Sequence, residues 1–254
     1  MKKNLCLALL LIAALSTTMN AQRRERSEYD PMEKPNIVKI NLTSLFYKNI
    51  SLQYERILGE KISVALGLRF MPKGSLVFTN TIDQLASADS TSLSDWKASS
   101  YAITPEFRFY PKHAGKGFYI APYIRYRNIS LDLPVDYRDD NNAQQHVSVT
   151  GNLSSLIGGL MLGSQFNLGK MVTLDWYIFG LQYGISNGKL DIATSKPLSA
   201  NDQADIRSSL ADLKSASSSF NDINYVVTSN GGSISGKFGA LGFRGFGLNL
   251  GFKF

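Results

Sequence analysis

The sequence predicts an all-β chain: an eight-stranded antiparallel transmembrane β-barrel with long extracellular loops and a short helix in the last loop. Three observations carry this expectation. Apolar residues recur at every second position, which is the strand period. Short turns and long loops alternate along the chain. The chain also opens on an export signal, while no later segment reaches the length of a spanning helix.

The first stretch, "MKKNLCLALLLIAALSTTMNAQ", joins two lysines to an apolar run from Leu5 to Leu15 and then to a small residue, Ala21. That order is a secretory signal peptide over residues 1–21, cut between Ala21 and Gln22. Its apolar run is too short to span a bilayer as a helix. Cys6 is the only cysteine, so the processed chain holds no disulfide and no thiolate chemistry. Residues 22–35, with "RRER", are expected to form a periplasmic N-terminal segment whose basic side chains meet anionic lipid or peptidoglycan. Residues 36–254 form the barrel. The formal charge of +7 does not imply nucleic acid, because an exported chain meets none, and the long loops carry a slight acidic excess.

Alternation then places each strand. "KISVALGLRF" sets Ile62, Val64, Leu66, Leu68 and Phe70 against Ser63, Ala65, Gly67 and Arg69. "NISLQYE" sets Ile50, Leu52 and Tyr54 against Ser51, Gln53 and Glu55. "YAITPEFRFY" and "GFYIAPYIRYR" repeat the pattern, with Glu106, Arg108, Tyr119, Tyr123, Arg125 and Arg127 on the polar face. The strands fall at 37–46, 49–57, 61–71, 100–110, 117–131, 148–168, 171–187 and 235–254. The seventh slips in period near Gly180, as a bulge does.

Strands two and three are joined by "LGE", four and five by "PKHAGK", and six and seven by "GK". The other connections, 72–98, 132–147 and 188–234, are long and leave from one end. The first turn, "YKN", is short although it lies at that same end. Loop asymmetry, an even strand count and an apolar face with aromatics near its ends are the marks of an outer-membrane barrel. A soluble sandwich yields the alternation but not polar residues on its core face. In lipid, closure removes unpaired edges, and the apolar side chains turn outward. Eight strands leave room inside for side chains and no wide pore.

These segments resemble the small eight-stranded outer-membrane barrels of the OmpA/OmpX type, and "NISLQYERILGEKISVALGLRF" resembles a hairpin of a related barrel family of unknown function. The resemblance covers 36–254 and implies the outer membrane of a Gram-negative-type cell, periplasmic chain ends and outward long loops. It also implies that the final strand, with Phe246, Leu248, Leu250, Phe252 and Phe254 facing lipid, is read by the barrel-assembly machinery and closes the sheet against the first strand. It supplies no activity, since one fold hosts many functions.

Candidate sites follow from parity. Glu55, Arg69, Glu106, Arg108, Arg125 and Arg127 point inward, with Lys39, Tyr119 and Tyr123 as neighbours. They form either a paired plug or the basic lining of a narrow anion path, and a narrow interior favours the plug. His146 and Ser148 in "QHVSV" share the parity of Leu156, Leu160 and Leu162. Their His-x-Ser spacing resembles that of outer-membrane lipid A deacylases, in which the histidine is general base to a serine nucleophile. Asp132, Asp136 and Asp191 are candidates for the orienting acid. His113 has no second histidine at ligand spacing, so no metal site is expected, and the glycines of "GALGFRGFG" lack the helix that phosphate binding requires. No cofactor is implied. In the last loop Ser199 and Asp202 precede Ile206, Leu210 and Leu213 at helical spacing, which predicts a helix within 199–219.

The expected role is structural or interactive: an outer-membrane barrel with a filled interior, presenting loops to an extracellular ligand or an envelope partner. A deacylase-like enzyme and a narrow solute channel are the alternatives.

Overall fold

In the computed structural model, residues 33–75, 95–138, 144–216 and 222–254 are described. The expected signal peptide, most of the N-terminal segment and the centre of the first long loop lie outside them. The strands are β1 (Asn36–Asn41), β2 (Ile50–Ile57), β3 (Ile62–Ser75), β4 (Lys97–Phe109), β5 (Gly117–Arg138), β6 (Gln144–Asn167), β7 (Val172–Thr194), β8 (Asn224–Thr228), β9 (Gly231–Arg244) and β10 (Gly247–Lys253). Two helices occur among the described residues, α1 (Leu42–Phe46) and α2 (Ala200–Ala216). No described helix is long and apolar enough to cross a membrane.

Every pairing is antiparallel, and β1 to β7 follow one another in order. β10 then pairs with β7 on one side and with β1 on the other, Lys253 opposite Ile37 and Asn249 opposite Asn41, so eight strands close into a ring. The turn between β2 and β3 and the turn between β6 and β7 lie at the same end as both chain ends of the sheet. Lys253 N–H donates to Met171 O there (2.7 Å).

The structure corrects several expected boundaries. Residues 42–46, read as the end of the first strand, are helical, because the Asn41 side chain accepts the Ser44 N–H (2.5 Å) and caps a turn before extension can continue. The connection after β1 is therefore α1 and its turn rather than a tight "YKN". Strands β5, β6 and β7 run well past the expected ends, pairing Arg138 with Gln144 and Val147 with Thr194. Much of the expected loops is thus paired hairpin. The last strand is two pieces, β9 and β10, interrupted at 245–246. Opposite that break β7 carries an extra residue: Leu162 pairs with Phe179 but Gly163 with Tyr177. The bulge lies at Ile178, two residues before Gly180, and it shifts the inward parity of β7 from odd to even. Between Gly236 and Arg244, β9 pairs with β7 alone, and α1 packs against β10 below this edge.

Side-chain burial divides sharply by face. Leu52, Leu66, Leu68, Phe70, Ile103, Phe107, Ile124, Leu160, Leu181, Leu250 and Phe252 are each at least 40 % exposed on the outside of the ring. On β5 the outward apolar residues run from Phe118 to Tyr126, and on β6 from Leu156 to Phe166. Above them, on the same outward face, Asn128 donates to Ser154 Oγ (2.9 Å) and to Asn152 Oδ1 (3.0 Å). A belt of apolar side chains thus ends at a row of hydrogen-bonded polar ones. The inside holds Lys39, Glu55, Glu106, Arg108, Gln165 and Asp175, all nearly fully buried.

Candidate functional site

The interior site is assembled from inward residues of five strands, β1, β2, β4, β7 and β9, that meet across the ring. Lys39 of β1 lies 2.5 Å from both Glu55 Oε2 of β2 and Asp175 Oδ2 of β7. Arg108 of β4 donates to Asp175 Oδ2 (2.7 Å), Glu106 Oε2 (2.9 Å) and Gln53 Oε1 (2.9 Å). Arg244, at the end of β9, donates to Glu106 Oε1 (2.9 Å). Three cations and three carboxylates therefore form one neutral network.

Tyrosines close it. Tyr110 OH donates to Glu55 Oε1 (2.8 Å), and Tyr119 OH to Asp175 Oδ1 (2.7 Å), while Arg108 lies 4.5 Å from the Tyr119 ring centre. Arg244 stacks between Tyr123 and Tyr177, 4.9 and 4.8 Å from their ring centres. Glycine makes room for the rings. A Cβ at Gly163 would strike Tyr119, and one at Gly247 would strike Tyr177. In so narrow an enclosure each tyrosine needs a residue without a side chain across from it. Chemically, such an arrangement holds its protons and charges in fixed pairs.

Of the six inward residues read from the sequence, Glu55, Glu106 and Arg108 belong to the network, together with their expected neighbours Lys39 and Tyr119. Arg69, Arg125 and Arg127 do not. They lie on the loop side of it, where Arg125 Nε donates to Thr104 Oγ1 (3.0 Å) and Arg69 lies against the Tyr177 hydroxyl. Asp175 and Arg244 escaped the sequence reading. Asp175 is a lone acid in the apolar "VTLDWYIF", and counting inward from Trp176 finds it. Arg244 stands in a glycine-rich stretch just before a break, where parity gives no guidance.

His146 and Ser148 lie at the loop end of β6, with His146 exposed and opposite Asp136 in register. The His146 N–H donates to Ser195 Oγ (3.1 Å). Two of the candidate acids are engaged by lysines. Asp132 accepts from Lys73 (2.8 Å), which holds its carboxyl below the usual aspartate range, and Asp191 pairs with Lys189 (2.8 Å). The Asp136 side chain lies outside the described residues. His113 forms an isolated bridge with Lys116 in the turn after β4. No cluster of three potential metal ligands occurs among the described residues.

The loop end presents a second feature. Ser199 and Asp202 cap α2 reciprocally: Asp202 N–H donates to Ser199 Oγ (3.1 Å) and Ser199 N–H to Asp202 Oδ2 (2.9 Å). Arg207 and Lys214 then tie the helix to backbone oxygens of Val227 (2.7 Å) and Ile223 (2.9 Å). Between helix and sheet lies an apolar cavity of about 310 Å³ lined by Ile206, Leu210, Val147, Ile192, Val226 and Ile234 among others.

Residues 7–189 match a family described as "Protein of unknown function (DUF3575)". The chain belongs to this family. The DUF3575 match covers Lys39, Glu55, Glu106, Arg108 and Asp175 but ends within β7, so α2, β8, β9 and Arg244 lie beyond it. No curated protein and no solved structure matches the chain.

Proposed function

We propose that this chain is an outer-membrane β-barrel of the OmpA/OmpX type, exported by residues 1–21, with a filled interior and a structural or surface-interaction role in which the loop end is the recognition face. The observation that carries the reading is the outward apolar belt around a charged interior. A water-soluble chain does not expose so continuous a band of Leu, Ile and Phe, whereas lipid requires it. The belt residues from Phe118 to Tyr126 and from Leu156 to Phe166 match the about 9–11 residues that a tilted strand needs to cross a bilayer. Outer-membrane lipid is then the solvent of the belt. The barrel-assembly machinery is the partner of the final strand, whose Phe246, Leu250, Phe252 and Phe254 are outward and exposed.

The neutral network supports a structural interior over a conducting one, because paired charges have no need of water or of a passing ion. The capped helix, its apolar cavity and the extended hairpins of β5 to β7 support the loop end as the face that meets an extracellular ligand or envelope partner. Deleting residues 199–221 tests this. The folded barrel, read as the heat-sensitive fast-migrating form on gels, is expected to persist, and capture of a surface partner by intact cells to be lost. Capture that survives the deletion contradicts the assignment of recognition to this loop.

A further inference from the structure

The interior divides by charge into two levels, and the upper one is unbalanced. Below, Lys39, Arg108 and Arg244 pair with Glu55, Glu106 and Asp175, the three buried carboxylates among the described residues. Above, Arg69, Arg125 and Arg127 face the same enclosure, and among the described residues no carboxylate pairs with any of them. Like charges held this close in a partly desolvated chamber repel one another, and each lacks the partner that buried cations normally have. Among the described residues Arg125 donates to the Thr104 hydroxyl and lies 5.5 Å from the centre of the Tyr123 ring, with the Glu106 charge as its nearest acidic influence. The Nε atoms of Arg127 and Arg244 are buried and have no hydrogen-bond partner. Donors are thus in surplus as well as charge.

Where Arg69, Arg125 and Arg244 converge there is a polar cavity of about 20 Å³, lined also by Thr104, Tyr177 and Glu106, whose carboxylate is already engaged by Arg108 and Arg244. That volume holds about one water-sized species. A monatomic anion is of that size.

We propose that this cavity binds one halide-sized anion, held by the guanidinium groups of Arg69, Arg125 and Arg244, with Arg127 as a fourth cation on the loop side. The site lies on the loop side of the neutral network, with Glu106 and Arg244 shared between the two. The anion offsets part of the excess charge and accepts from the arginines that line the cavity, which makes it a structural ligand of the ring. This holds whether or not the ring lies in a membrane.

The test is crystallography in sodium bromide with anomalous scattering, together with unfolding midpoints in sodium bromide, sodium sulfate and sodium gluconate at equal ionic strength. One bromide peak within hydrogen-bond distance of the Arg69 and Arg125 guanidinium groups is expected. A midpoint that rises with bromide concentration to saturation, and by more than gluconate gives at equal ionic strength, is expected alongside it, with sulfate as the reference for general salt stabilisation. The double variant Arg69→Gln, Arg125→Gln is expected to lose the peak and to raise the half-saturating bromide concentration at least tenfold. An empty cavity in the wild-type bromide crystal overturns the proposal, as does a gluconate effect equal to that of bromide. So does a folded double variant with unchanged bromide dependence. Should the double variant not fold, the wild-type bromide density decides alone.

Discussion

Asp175 is the centre of the interior. Its two carboxylate oxygens serve Lys39, Arg108 and Tyr119 together. Removing one member of a buried ion network leaves the others uncompensated, at a cost of about 3–5 kcal/mol. Asp175→Ala is expected to lower the unfolding free energy by that amount, measured by urea titration of the folded form, whereas Asp191→Ala in its exposed pair with Lys189 is expected to change it little. A second residue-scale prediction concerns Gly163. Gly163→Val drives a side chain into the Tyr119 ring, and overpacking of this kind costs about 1–3 kcal/mol. Combining it with Tyr119→Ala is expected to recover part of the loss, and strict additivity of the two changes contradicts the contact. Which charges face inward could be read from the sequence by counting alternate positions, as for Glu55, Glu106 and Arg108. Which of them pair could not, because Lys39 and Asp175 meet across 136 positions of sequence, and alternation carries no information about distance around a ring.

At the scale of elements, alternation placed β2 to β7 and the terminal β10 because each buries one face and exposes the other. It failed where a single side chain overrode it. Asn41 caps α1 in a stretch whose apolar spacing suited a strand, and the extra residue at Ile178 reversed the parity beyond it. The ends of β5, β6 and β7 were hidden for another reason. Above the belt both faces are polar or mixed, so strand pairing there leaves no two-residue hydrophobic period to read. For α2 the reciprocal cap was legible as Ser199 followed by Asp202, and the structure forms it. The Ser199 hydrogen bonds hold the Asp202 carboxyl below its usual value. A carboxylate depressed in the folded state adds stability above its unfolded value, and that contribution fades as pH falls through the depressed one. Capping of α2 is therefore expected to weaken only in acid. Carbon-detected NMR titration of Asp202 is expected to give a value below that of a free aspartate, and Ser199→Ala to return it toward normal; an identical titration in the two proteins contradicts the cap.

The whole molecule is organised by one inversion, charge inside and hydrocarbon outside, and the ring closes because the last strand meets the first. The inversion was legible in the periodicity, since inside and outside alternate residue by residue whichever solvent lies beyond, whereas the meeting of the last strand with the first was an expectation of the resemblance to eight-stranded barrels. The break between β9 and β10 and the balance of charge within the ring were legible in neither, because they depend on which strands come together. The membrane reading rests on the belt, and the two tryptophans report on it separately. Trp176 is on the outward face of β7, 43 % exposed within the belt, whereas Trp96 lies just before β4 at the loop end. Fluorescence of Trp96→Phe and Trp176→Phe variants in bilayers carrying brominated acyl chains separates the two. Strong quenching of Trp176 and weak quenching of Trp96 is the predicted result, and Trp176 emission untouched by brominated lipid would contradict a ring that sits in the membrane.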